Sequence, residues 1–239
     1  MTSDLQEILQ RAHSRRSFFR GAVAVAGAGA LSMNLWRLSS SPFFQAGVAM
    51  AADAPFTSDL DVLNFALTLE QLEATLYNAL VGDSTTLGTG LTKTGSAGLI
   101  KNATYLKYVS VFREHENQHV TALTSAISAA GGTPVTPKAK YNFPTVTDEA
   151  GAMAALAMVE EVGVGAYQGA AGFIKDKGIL TTAVSIHGVE AEHCASLHQL
   201  LGLDPLGDSK SPNPVLAGAF TKPIAYADVI KIVGPILGA

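Results

Sequence analysis

The chain has 239 residues, 48% of them hydrophobic and 15% charged, with a formal net charge of −4. Such a composition supports one domain with a sizeable core plus processing segments, and it excludes intrinsic disorder. No basic run follows residue 37, so nucleic-acid binding has no electrostatic footprint; the sole cysteine, Cys194, excludes an internal disulfide, a four-cysteine metal site and a CxxC redox pair.

Residues 1–51 read as an export signal. A basic stretch leads into a small, apolar run from Gly21 to Leu31, too short to span roughly 30 Å of hydrocarbon as a helix. Ala49-Met50-Ala51 then offers a small-x-small cleavage site. The run Ser14-Arg15-Arg16-Ser17-Phe18-Phe19-Arg20 resembles the twin-arginine signal, departing from its commonest form at the last two places, where Leu and Lys are more usual. The resemblance implies export to the periplasm or beyond by machinery that moves folded proteins, which suits a chain that acquires metal before it leaves. An uncleaved membrane anchor is the competing reading. The segment carries 5 Lys/Arg and 2 Asp/Glu, so the remainder holds 11 and 18, for a net charge of −7.

After a linker at 52–57, periodicity predicts four long helices within 58–202. Helix A covers roughly 58–81, with Ser58 or Asp59 as N-cap, and a Gly/Thr/Ser loop of 17 residues follows. Helix B runs roughly 100–130 and stops at Gly131-Gly132. The next stretch, 131–147, holds three prolines, which forbid a helix. Helix C covers roughly 148–175 and helix D roughly 180–201, with Gly202 as its stop. No segment alternates with period two for long enough to argue for a sheet. The loops within A–B and C–D suit antiparallel hairpins. Segment 131–147 reaches about 50 Å at roughly 3.3 Å per residue, enough to cross a bundle of helices about 30 Å long. The expected fold is therefore all-α: a four-helix bundle of two antiparallel hairpins joined by a long crossover. The tail, 203–239, is turn-rich, with one short helix near Tyr226–Val233 packed on the outside.

Acids and imidazoles fall on the apolar stripes of these helices. In helix D, Glu190 and His193 lie among Ala183, Ile186, Leu197, Leu200 and Leu201. In helix B, Glu116 and His119 lie among Val109, Phe112, Leu123 and Ile127. With ten Glu and six His, chance predicts about a quarter of one Glu-x-x-His spacing; two occur, both on apolar faces. Glu160 shares a face with Met153, Leu156, Val164, Tyr167 and Ile174, leaving Glu161 as the surface residue. Glu70 shares one with Leu63, Leu67, Ala74 and Tyr77. Each of these acids precedes a tyrosine by seven residues, so the two hairpins repeat one pattern: Glu, then Glu-x-x-His.

Buried polar groups without partners would each cost several kcal/mol, against a typical total stability of about 5–15 kcal/mol. Two divalent cations would neutralise four carboxylates, and one Glu from each of two helices plus Glu-x-x-His from each of the others forms a dinuclear carboxylate site. Glu73 also falls inside the apolar arc of helix A, so it replaces or supplements Glu70, which the matched tyrosine spacing favours. His115, His187 and His198 read as flanking or outer-sphere histidines, and Glu114 and Glu192 as solvated charges. Cys194 reads as a small core residue. Tyr77 and Tyr167 read as packing residues that hydrogen-bond a ligand carboxylate. The competing reading of the whole set is a metal-free bundle whose acids and histidines satisfy one another.

The chain resembles the ferritin-like superfamily over roughly 58–202, and within it the exported, desiccation-related group. "LNFALTLEQLEATLYN" resembles that group's first helix and "EEVGVGAYQGA" its third. The resemblance implies Glu70 and Glu160 as terminal carboxylates, Glu116 and Glu190 as bridges, and His119 and His193 as terminal nitrogens. Mixed carboxylate and imidazole ligation suits iron, with manganese as the other choice. Such a site implies reaction with O2 or H2O2, as a ferroxidase or peroxidase in stress protection. No rubredoxin-type four-cysteine module is present, so turnover requires an external electron donor. Metal binding or storage without turnover is the alternative. The loop after helix A and the long tail disfavour a storage cage, while a smaller homo-oligomer is compatible with the reading.

Overall fold

The computed structural model describes residues 54–82, 98–144, 146–205 and 221–238. The export signal expected over 1–51 lies outside these residues. Among them there are five α-helices and no strand: α1 (Asp59–Val81), α2 (Ala103–Ala129), α3 (Glu149–Ala170), α4 (Lys177–Leu200) and α5 (Tyr226–Leu237). No helix among the described residues is long and apolar enough to cross a membrane.

Each bundle helix starts where the sequence supplies a cap. Ser58 and Asp61 form a reciprocal capping box at α1. Asn102, Asp148 and Asp176 accept hydrogen bonds from the first-turn amides of α2, α3 and α4. Such caps satisfy amides that no helical carbonyl can reach, each worth about 1 kcal/mol. α1 ends at Gly82, whose φ of 100° is available to glycine at no steric cost.

Helix directions follow from side-chain pairs. Asn64 Nδ2 donates to the Thr133 carbonyl just past the end of α2, whereas Asn78 Nδ2 donates to Asn117 Oδ1 in mid-α2, so α1 and α2 are antiparallel. Tyr77 reaches Glu160 and Tyr167 reaches Glu70, so α1 and α3 are antiparallel too. α1 packs along α2, α3 along α4, and α1 meets α3 between the two hairpins. The crossover follows the outer side of α1: the Val135 amide donates to Asn64 Oδ1 at 2.8 Å, and Gln71 Nε2 donates to the Val135 carbonyl at 3.0 Å.

Three sequence expectations need correction. The third helix stops at Ala170 rather than about 175, passing through a 3-10 turn at Ala171–Phe173, and the fourth starts at Lys177 rather than about 180. The reason is a distant one: Asp59, at the start of α1, accepts the backbone amides of Lys175 (2.9 Å) and Asp176 (2.8 Å), fixing them in the turn. Asp176 then caps α4 through the Ile179 amide. The tail helix is longer than expected and runs through Pro235 to Leu237. Its Val229, Val233, Ile236 and Leu237 are buried in the main core cluster together with Leu69, Leu72, Val159 and Val162, so α5 packs over α1 and α3 and extends the core there.

Residues 221–225 approach α3 closely. The Ile224 amide donates to the Gly165 carbonyl at 2.9 Å. A Cβ at Gly169 would stand 2.1 Å from the Ile224 carbonyl oxygen, and one at Gly165 2.4 Å from the Ile224 side chain. Only glycine at both places admits the segment.

Candidate metal centre

Each bundle helix brings one glutamate from near its middle to a common interior point. Glu70, Glu116, Glu160 and Glu190 are all 0% exposed, with His193 at 1% and His119 at 8%. Two groups of ligand atoms form there, the members of each within 4.8 Å of one another: Glu70, Glu116, His119 and Glu190 in one, Glu116, Glu160, Glu190 and His193 in the other. Glu116 and Glu190 belong to both groups. His119 Nδ1 lies 3.1 Å from Glu70 Oε2, 3.3 Å from Glu116 Oε2 and 3.2 Å from Glu190 Oε1. His193 Nδ1 lies 2.9 Å from Glu116 Oε1 and 3.3 Å from Glu160 Oε1.

The tyrosines cross between hairpins. The Tyr167 hydroxyl donates to Glu70 Oε1 at 2.5 Å, and the Tyr77 hydroxyl donates to Glu160 Oε1. Each outer carboxylate is thus oriented by the helix facing it. Burial first, and then the charge of the carboxylates, pushes both phenols well above their usual range, so they remain donors. Leu67, Leu123, Ile127, Met153 and Leu156 of the same four-helix core are all at most 1% exposed.

The charges do not balance within the protein. Burial lowers the basicity of His119, but its hydrogen bonds to Glu116, Glu190 and Glu70 outweigh this and hold it up at about 12. His193 is likewise depressed by burial and raised on balance by Glu160. Two imidazolium groups supply at most two positive charges against four carboxylates. Glu116 and Glu190 are pushed well above the usual 4.5, by burial first and then by Glu70 and Glu116 respectively, because their charged forms are disfavoured there. Glu160 Oε2 and Glu190 Oε2 are buried with no partner at all, and Glu116 Oε1, Glu190 Oε1 and His193 Nδ1 have only the imidazole–carboxylate contacts given above. Buried orphan atoms of this kind cost roughly 1–3 kcal/mol each. Oxygen and imidazole donors gathered in two overlapping groups, with carboxylates in excess of positive charge, fit a pair of divalent cations.

The remaining candidates fall into distinct places. Glu73 is buried, 3% exposed, and stands outside both groups of ligand atoms. Burial and then the charge of Glu190 push its carboxyl well above the usual range, and its Oε2 has no partner. Its place is made by Gly163: a Cβ there would lie 3.0 Å from Glu73 Oε1 and 2.7 Å from Glu190 Oε2. Gly163 is a residue that the sequence reading missed, although its offset was readable, since Glu160 precedes it by three as Glu70 precedes Glu73. His115 Nδ1 lies 3.0 Å from His193 Nε2. His187 is half-buried and lines a cavity of about 210 Å³ together with Tyr167, Gln168, Ala171, Ala183 and Val184. Cys194 is buried beside Val164, outside both groups of ligand atoms. Glu161 is not the free surface charge expected: its side chain is 25% exposed and its Oε1 lies 2.9 Å from Nε2 of the buried His198.

The fold has known counterparts. A conserved hypothetical protein of Mycobacterium tuberculosis, rv2844, is similar to this chain with a TM-score of 0.51 at 15% identity, over 62% of this chain and 100% of its own. No curated protein matches the chain. A family model described as a ferritin-like domain matches residues 58–203, more than half of the chain and all four helices that carry the buried acids. The chain therefore belongs to the ferritin-like domain family.

Proposed function

We propose that the chain is an exported two-metal oxidoreductase, with Glu70, Glu116, His119, Glu160, Glu190 and His193 as its ligands. The reading takes Glu116 and Glu190 as the carboxylates common to both metal positions. It is carried by one observation: two four-residue groups of buried ligand atoms that overlap in those two glutamates. A bound pair of iron(II) ions, or manganese in their place, would supply the two electrons that dioxygen or hydrogen peroxide takes up. The protein's own contribution is positional. Tyr77 and Tyr167 hold the outer carboxylates through hydrogen bonds, Glu116 and Glu190 would serve both metal positions, and the buried apolar side chains around them keep out bulk water. Electrons for further turnover come from an external donor. The twin-arginine-like leader and the resemblance to the desiccation-related group support a role outside the cytoplasm, in protection against oxidative or drying stress.

Aerobic addition of iron(II) to the purified protein tests this reading. Rapid oxidation with a diiron(III) absorption band is the expected result. Two ions bound per chain without oxidation would instead mean a metal carrier. The closeness of His119 to three carboxylates, which satisfies part of the site without metal, favours a third reading. No uptake at all would mean a metal-free bundle.

A further inference from the structure

We infer that His115 is the positioning residue for one of the two metal sites: it accepts the Nε2–H of His193 and so keeps Nδ1 of that ring free to coordinate. The inference rests on the two-metal reading above.

A neutral imidazole carries one N–H and one bare nitrogen, and only the bare nitrogen binds a cation. For His193 the inward atom is Nδ1, which faces the ligand carboxylates, 2.9 Å from Glu116 Oε1 and 3.3 Å from Glu160 Oε1. Its other nitrogen, Nε2, faces His115 Nδ1 at 3.0 Å. A single proton fits between two ring nitrogens at that distance. When it resides on His193 Nε2, the inward Nδ1 is bare, and His115 carries its own proton on its remaining nitrogen. The ring is further held by packing: Phe112 stacks against His193 at 4.2 Å between centroids, and His115 lies nearly parallel to it, at 15°. His193 is thus fixed in both orientation and tautomer from one side of α2, by Phe112 and His115 one turn apart.

The device is present once. His115 immediately precedes Glu116, and the residue in the same place before Glu190 is Val189, which offers no acceptor. The position that uses His193 is therefore the one that depends on an outer-sphere imidazole, and His115 is itself only half-buried.

The test is anaerobic titration of the purified protein with cobalt(II), whose visible bands report coordination at each site. The variants are His115→Ala, His115→Leu and His115→Gln, each checked for unchanged helical content. The unaltered chain takes up two ions. Ala and Leu leave one ion unchanged and weaken the other by roughly 10–100-fold. Gln, whose amide oxygen accepts the same N–H, recovers that affinity. Nitrogen-15 shifts of the imidazoles add an independent readout, with His193 held as the Nε2–H tautomer in the loaded protein and in the Gln variant. Tight binding of both ions in the Ala variant, an equal loss at both sites, or no recovery with Gln would each overturn the inference while leaving the two-metal reading intact. Absence of uptake by the unaltered chain would overturn both.

Discussion

The hairpins α1–α2 and α3–α4 supply matching sets, yet they are not copies. In each, a glutamate seven residues before a tyrosine is followed on the next helix by Glu-x-x-His. Their tyrosines cross to the opposite carboxylate, and their second glutamates join both groups of ligand atoms. The differences sit one step outward. Three residues after Glu70 comes Glu73, and three residues after Glu160 comes Gly163, whose missing side chain leaves room for the carboxylates of Glu73 and Glu190. One residue before Glu116 comes His115, and one before Glu190 comes Val189. Symmetry is kept where charge must converge and is abandoned where it would crowd. A second glutamate at 163 would add a sixth carboxylate to an interior already short of positive charge.

The largest expected effect tests the shared part of the pattern. Glu116→Gln and Glu190→Gln should each abolish uptake of both ions, exceeding the roughly 10–100-fold loss typical of an outer-sphere change. Loss of only one ion in either variant, measured by metal analysis after dialysis, would show that the hairpins hold their ions independently. Acid and base titration of stability comes next. Glu73, Glu116 and Glu190 have folded-state pKa values above the usual 4.5, so the unfolded chain releases their protons first and apoprotein stability falls as pH rises above about 4.5. The raised His119 adds a contribution that is full below 6.5 and lost as pH climbs toward about 12, in the same direction. Denaturant midpoints of the metal-free protein should therefore decline steadily from pH 5 to pH 8, and metal should flatten the decline. A midpoint that rises over that range would contradict the buried-acid account.

Smaller effects probe the finer match. Tyr77→Phe and Tyr167→Phe each remove one hydrogen bond to a carboxylate, worth about 1.5–3 kcal/mol. Equal losses in metal affinity would confirm that the crossed pairs are equivalent, and a clear inequality would break that equivalence. Gly163→Ala should lower stability by about 1–3 kcal/mol through crowding of the Glu190 and Glu73 carboxylates. Gly188→Ala, where a Cβ meets nothing within 4 Å, should raise stability by roughly 0.5–1 kcal/mol. Thermal denaturation of the two variants side by side separates local crowding from helix propensity.

What the sequence disclosed follows from the range of the forces involved. A stripe of leucines with Glu190 and His193 inside it is a local pattern, and helix geometry alone turns it inward. The same applies to Glu116 and His119. The choice between Glu70 and Glu73 was harder, because both face the interior. They are told apart by Tyr167, which arrives from α3 and takes Glu70. The ends of α3 and α4 were misjudged because Asp59, more than a hundred residues earlier, fixes the turn between them. Glu161 was read as solvent-facing for a similar reason: its partner, His198, belongs to another helix, and one-helix periodicity carries no information about it.

The seat of Ile224 on Gly165 and Gly169 has a consequence for the order in which the molecule is completed. Val233 and Ile236 of α5 help line the wall behind Glu73. A chain in which residues 221–237 are not packed on α3 lacks that backing behind Glu73. A cation captured in that state would sit in a wetter, more polar surrounding and be held less firmly than once Ile224 is seated.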